Sequence, residues 1–160
     1  VRGGNAWGRA AKFDELSAFS PYALSSFTYL LAGLVLLTVF SGARHYKGNR
    51  VLDGSLIALQ SFFTLMADVI YIGRVSIWHA LDRTYATSLT LFLVTTKAFW
   101  LDTFELALFG GVLAIGAYCL TQSRHTRSEP TASFEGFLFW HSMWHLCFPL
   151  GYMAWCVYIW

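Results

Sequence analysis

Long apolar runs alternate with short polar clusters along this chain, and the runs have the length of membrane crossings rather than of surface helices. The last run, Phe134 to Trp160, reads FEGFLFWHSMWHLCFPLGYMAWCVYIW and carries no formal charge after Glu135. About 20 apolar residues span a bilayer, so this run predicts a transmembrane helix containing His141, His145 and Pro149. Four-residue spacing places the two imidazoles one above the other on one helix face. Pro149 removes the backbone bond to the carbonyl of His145, which predicts a kinked turn with an open acceptor.

The preceding pattern predicts four more helices. Residues 1–20 mix Gly, Ala and charge and read as an arm on the membrane surface. Ser20 as N-cap and Pro21 at the first helical position start helix one, Pro21 to Phe40. Arg44, His45, Lys47, Arg50 and Asp53 read as a polar loop, and helix two follows from Gly54 to Gly73 with one carboxylate, Asp68. Burying that charge alone is costly, so it is protonated or partnered. The loop RVSIWHALDR holds His79 and Asp82 and leads into helix three, Thr84 to Trp100, whose Lys97 is placed to snorkel. A tight hairpin at Leu101 to Thr103 precedes helix four, Phe104 to Thr121, where Gly110, Gly111 and Gly116 allow close helix approach. The turn-rich stretch SRHTRSEPTAS returns the chain to helix five. The expected fold is therefore all-α: a polytopic transmembrane bundle of about five helices over 21–160, with an N-terminal surface arm over 1–20.

Composition agrees with this reading. Hydrophobic residues make up 56% of the chain and charged residues 12%. The net charge of +2 is small and scattered, which excludes nucleic acid as a partner, and no Gly-rich phosphate loop is present. Cys119, Cys147 and Cys156 lie in apolar runs as small hydrophobes, forming neither a disulfide framework nor a zinc ribbon. The chain begins at Val1 rather than Met, as a processed organelle-import product or a trimmed sequence does.

Five crossings put the two termini on opposite sides. The side of the N-terminal arm collects Lys and Arg at 2, 9, 12, 74, 83, 124 and 127, against 44, 47, 50 and 97 on the other. By the positive-inside tendency it faces cytoplasm, stroma or matrix. The same threading gathers Asp68, His79, Asp82, His141 and His145 at one membrane face and sends Ser41, His45 and Asp53 to the other. His125 falls on the first side, as a surface residue of a loop. Three imidazoles with carboxylates can hold zinc: His79, His141 and His145 as ligands, water in the fourth position, and Asp82 or Asp68 orienting a histidine or taking a proton. The plainer role for His141 and His145 is hydrogen bonding between helices.

A membrane-embedded Asp, the WHALDR segment and a final helix opening with HSMWH together resemble the CREST superfamily, which includes the alkaline ceramidases, the progestin and adipoQ receptors and myomaker-type proteins. The resemblance covers about a third of the chain. It implies a zinc site for lipid amide hydrolysis in which His141 and His145 match the paired ligands of the last helix and Asp82 the aspartate. Where the family carries Ser-xxx-His, this chain has ADVIY, so Asp68 and Tyr71 stand in place of Ser and His, and the family has about seven helices. SGARH at Ser41 to His45 is similar to the Ser-His motif but falls at the wrong face.

These departures favour a non-catalytic accessory subunit of a larger photosynthetic or respiratory complex, descended from a CREST-like ancestor and seated in a thylakoid or mitochondrial inner membrane. Its partners would be membrane lipids and other membrane subunits, and lipid or chlorophyll its bound groups, with His141 or His145 ligating the chlorophyll magnesium. The alternative is a zinc-dependent lipid amide hydrolase, with Asp82 and Asp68 serving catalysis. A transporter-like or receptor-like bundle using Asp68 has only that carboxylate in its favour.

Overall fold

The computed structural model describes residues 20–39, 46, 48–72, 74–127 and 133–158, and among them the chain is helical with no strand. The N-terminal arm (residues 1–19), the Ser41 to His45 motif and most of the last polar loop lie outside the described residues. The first rod is broken into α1 (Pro21–Ser25) and α2 (Thr28–Thr38). Then come α3 (Arg50–Leu65), which runs on into a π-turn (Met66–Ile70), α4 (Ile77–Ala98), α5 (Thr103–His125) and α6 (Phe134–Tyr158).

Caps set most of these limits. Ser20 accepts from the Ala23 N–H at 3.3 Å with Pro21 following, as the sequence indicates. Two starts come earlier than the hydropathy suggests. Asn49 accepts from the Leu52 N–H at 3.0 Å, so Arg50 and Asp53 belong to the first turn of α3 rather than to a loop. Ser76 accepts from the Trp78 N–H at 3.1 Å, so His79 and Asp82 lie on the opening turns of α4, not in a loop. In both cases a side-chain cap starts the helix among polar residues that the hydropathy pattern assigns to a connection. Asp102 and Glu105 form a reciprocal capping box, at 2.8 and 3.0 Å, that turns the chain sharply into α5.

Among the described residues three segments are long and apolar enough to cross a membrane: Pro21–Thr38, Arg50–Ile70 and Thr103–His125. α4 and α6 run 22 and 25 residues, equivalent lengths. Neighbouring helices follow the order α4, α3, α2, α6, α5 across the bundle, so α5 rests chiefly on α6. Large apolar side chains remain outward, among them Leu31, Leu91 and Ile115. That distribution suits helices whose surroundings are themselves apolar.

α2 and α3 approach each other closely at a pair of glycines. A Cβ on Gly33 would stand 2.6 Å from the Gly54 carbonyl oxygen and 2.7 Å from the Ala58 amide, so only glycine permits the contact. The glycines singled out in α5 behave differently: Gly110 and Gly111 face open space, and only Gly116 meets a neighbour, the Trp144 ring at 3.0 Å. Lys97 does not snorkel either. It is fully buried, and its ammonium pairs with Asp53, which is 2% exposed, because the early start of α3 brings that carboxylate level with the end of α4.

Pro149 lies inside α6, and the carbonyl it frees is not left open. The Thr28 hydroxyl lies 2.6 Å from His145 O and 2.7 Å from Ser25 O, two carbonyls that share its one proton, and so links α2 to α6 at that turn.

Candidate metal centre

Asp68 sits in the π-turn, where the Tyr71 N–H reaches back five residues to Met66 O at 3.0 Å. Such a turn holds one residue more than an α-turn and re-aims the side chains within it. Here it directs Asp68 at α6, where His141 and His145 lie one turn apart with ring centroids 4.5 Å apart. Asp68 Oδ2 stands 3.0 Å from His141 Nε2 and 3.4 Å from His145 Nε2, and the three donor atoms lie within 4.8 Å of one another. Two ligands about 2.05 Å from a tetrahedral zinc are roughly 3.3 Å apart, so the spacing fits a shared ion.

The other nitrogen of each ring is held from a different helix. His141 Nδ1 meets the Ser123 hydroxyl of α5 at 3.2 Å, and His145 Nδ1 meets the Ser25 hydroxyl of α1 at 3.3 Å. Proton counting settles the second contact. Ser25 donates its single hydroxyl proton to Tyr22 O at 2.7 Å, so toward His145 it can only accept, and Nδ1 carries the hydrogen. In a neutral imidazole, Nε2 then presents a lone pair to the Asp68 carboxylate at 3.4 Å. Two acceptors facing each other call for a proton between them, on Nε2 or on the Asp68 carboxyl, or for a metal ion. A ligating histidine ordinarily donates its other ring N–H to an oxygen acceptor, the place that Ser25 occupies behind His145.

Asp82 approaches from α4. Its Oδ1 accepts from Thr64 Oγ1 at 2.8 Å and from Gln60 Nε2 at 2.7 Å. Thr64 precedes Asp68 by one turn of α3, so Asp82 is fastened to the helix face that carries the proposed ligand. Tyr22 stacks on His141 with centroids 5.4 Å apart and closes another side. The open side is at His141, whose side chain is 15% exposed against 3% for His145.

The structure thus brings together Asp68, His141 and His145, with Asp82 bound to Thr64 four residues before Asp68, and leaves His79 out. His79 Nε2 lies 3.2 Å from Tyr71 O and 3.0 Å from Arg74 O. Carbonyls only accept, so this nitrogen carries a hydrogen and offers no lone pair; it holds the turn after the π segment, and Asp68 stands with the two histidines instead. His125 is the exposed last residue of α5. Ser25, Ser123, Thr64 and Gln60 do not stand out in the sequence, where hydroxyl and amide residues are scattered through every helix. Only Thr64 had a signal, its four-residue spacing from Asp68.

No protein-family model, curated protein or solved structure matches the chain.

Proposed function

We propose that this protein is a metal-dependent membrane hydrolase of the CREST type, acting on a lipid amide drawn from the bilayer, with zinc held by Asp68, His141 and His145. The observation that supports it most is the convergence of Asp68 Oδ2, His141 Nε2 and His145 Nε2, whose ligand atoms lie within 4.8 Å of one another. Two histidines and one carboxylate make up a common catalytic zinc set, which leaves one position for water or substrate. A zinc ion bound there supplies Lewis acidity, toward a carbonyl or toward water. Asp82 is the general base in this reading, since Thr64 and Gln60 hold it beside the ligands without neutralising it. Ser25 and Ser123 keep the two imidazoles oriented.

Metal analysis of the purified protein tests the proposal, together with release of fatty acid from an N-acyl lipid in nanodiscs. One zinc per chain is expected, lost in His141→Ala and in Asp68→Ala. Asp82→Asn is expected to keep the metal and lose hydrolysis. A folded wild-type protein that takes up no zinc would refute the metal reading, and zinc binding without hydrolysis would refute the enzymatic one.

A second reading, the accessory subunit of a larger membrane complex, is favoured by the outer surface around the α4–α5 turn. Phe99, Trp100 and Phe104 are 87%, 64% and 60% exposed there, and α5 rests chiefly on one neighbour. Stoichiometric co-purification with a photosynthetic or respiratory complex from mild detergent is the expected result on that reading.

A further inference from the structure

At the end of the bundle opposite the Asp68 group, α3 begins and α4 ends around a cavity of about 840 Å³. One flank is polar, with Arg50, Asp53 and Lys97; the other is apolar, with Leu52, Phe92 and Trp100. Asp53 and Lys97 neutralise each other, and the Tyr46 phenol donates to the same Asp53 oxygen at 2.6 Å. Arg50 is held differently. Its Nη1 donates to Leu36 O at 2.9 Å and to Leu37 O at 2.8 Å, which pins the guanidinium to the end of α2. Among the described residues no carboxylate pairs with it, and its Nη2 and Nε donate no hydrogen bond.

Among the described residues Arg50 is therefore an uncompensated, immobilised cation of the cavity, and its remaining N–H groups form a fork suited to a phosphate. Holding the guanidinium in place beforehand lowers the ordering cost of binding. Helix termini and the outward Trp100 put this site at the membrane boundary, where a tryptophan commonly lies at headgroup level.

From these features we infer that the cavity seats the phosphate of an anionic phospholipid on Arg50, with the adjoining glycerol and acyl segments against Leu52, Phe92 and Trp100. The apolar flank is what favours a lipid over free phosphate. This site is independent of the metal centre and of any hydrolysis there.

Native mass spectrometry of the protein released from nanodiscs of phosphatidylcholine doped with phosphatidic acid tests the inference. One phosphatidic acid per chain should stay bound in preference to the excess phosphatidylcholine. Val51→Glu places a negative charge on the cavity wall at a position 56% exposed, where folding tolerates it, and should reduce retention at least tenfold. Arg50→Lys keeps the charge but loses the fork and should reduce it less. Equal retention by wild type and both variants would overturn the site. Displacement of phosphatidic acid by millimolar inorganic phosphate would overturn the lipid assignment, and resistance to it supports that assignment.

Discussion

The Thr28 hydroxyl lies 2.6 Å from the carbonyl of His145 that Pro149 leaves without its helical partner, and shares its one proton between that oxygen and Ser25 O at 2.7 Å. One side chain of α2 thereby compensates a defect in α6 that lies at the level of the proposed ligands. Thr28→Val removes the donor while keeping the shape, and is expected to cost about 1–2 kcal/mol, the range for a buried acceptor left unpaired. In a Pro149→Ala background the helix supplies its own donor, so the same change should cost less. Unfolding titrations in mixed detergent on the four proteins of this cycle check the difference.

Ser25 is expected to act on metal affinity through the tautomer of His145. Ser25→Ala removes the acceptor of Nδ1–H, and zinc affinity should fall about 10- to 100-fold, the usual effect of losing the group behind a ligating histidine. Competition with a fluorescent chelator measures it. Because both imidazoles must be unprotonated to ligate, affinity should also fall as pH is lowered. If acidification instead left affinity unchanged, the histidines would not be ligands.

How much of this centre is legible in the sequence depends on the range of the relationship. His141, His145 and Pro149 follow from local spacing, and the open carbonyl follows from proline chemistry alone. That Asp68 faces them follows from counting crossings. What is lost is everything fixed by a partner distant in the chain. The donor for His145 O comes from 117 residues away and the Ser25 contact from 120, and neither serine nor threonine is unusual in an apolar helix. His79 misleads because a histidine beside a polar turn offers the same composition whether it binds metal or holds backbone carbonyls.

Lys97 and Asp53 misled for the same reason. Each looks like a boundary charge, yet both are buried, and removing either alone takes a buried ion-pair partner from the other. Lys97→Met and Asp53→Leu singly are expected to cost about 3–5 kcal/mol, while the double variant recovers much of the loss. Thermal denaturation in detergent of the single and double variants gives the coupling.

Tyr46 belongs to the same cluster from outside the helices. Burial first, and then the Asp53 charge, hold its phenol well above the usual tyrosine range. A folded-state value raised above the unfolded one gives stability that is present below about pH 10 and lost as pH rises beyond it. Tyr46→Phe should therefore flatten the alkaline limb of the stability profile, measured by denaturation between pH 8 and 12.

Glycines of similar appearance are expected to differ in cost. Gly33→Ala forces a Cβ against the backbone of α3 and should destabilise the bundle clearly, whereas Gly110→Ala meets open space and should be neutral or slightly stabilising through helix propensity. The same unfolding titrations separate the two.

The π-turn at Met66–Ile70 has an implication for inheritance. A cousin of this chain one residue shorter just before Asp68 could form an unbroken α-helix there, with the carboxylate rotated by roughly 100° about the axis. Such a cousin would keep both imidazoles and nearly all of its packing, yet could no longer bring the carboxylate to them. A single codon gained or lost would then separate a binding lineage from an inert one of the same architecture.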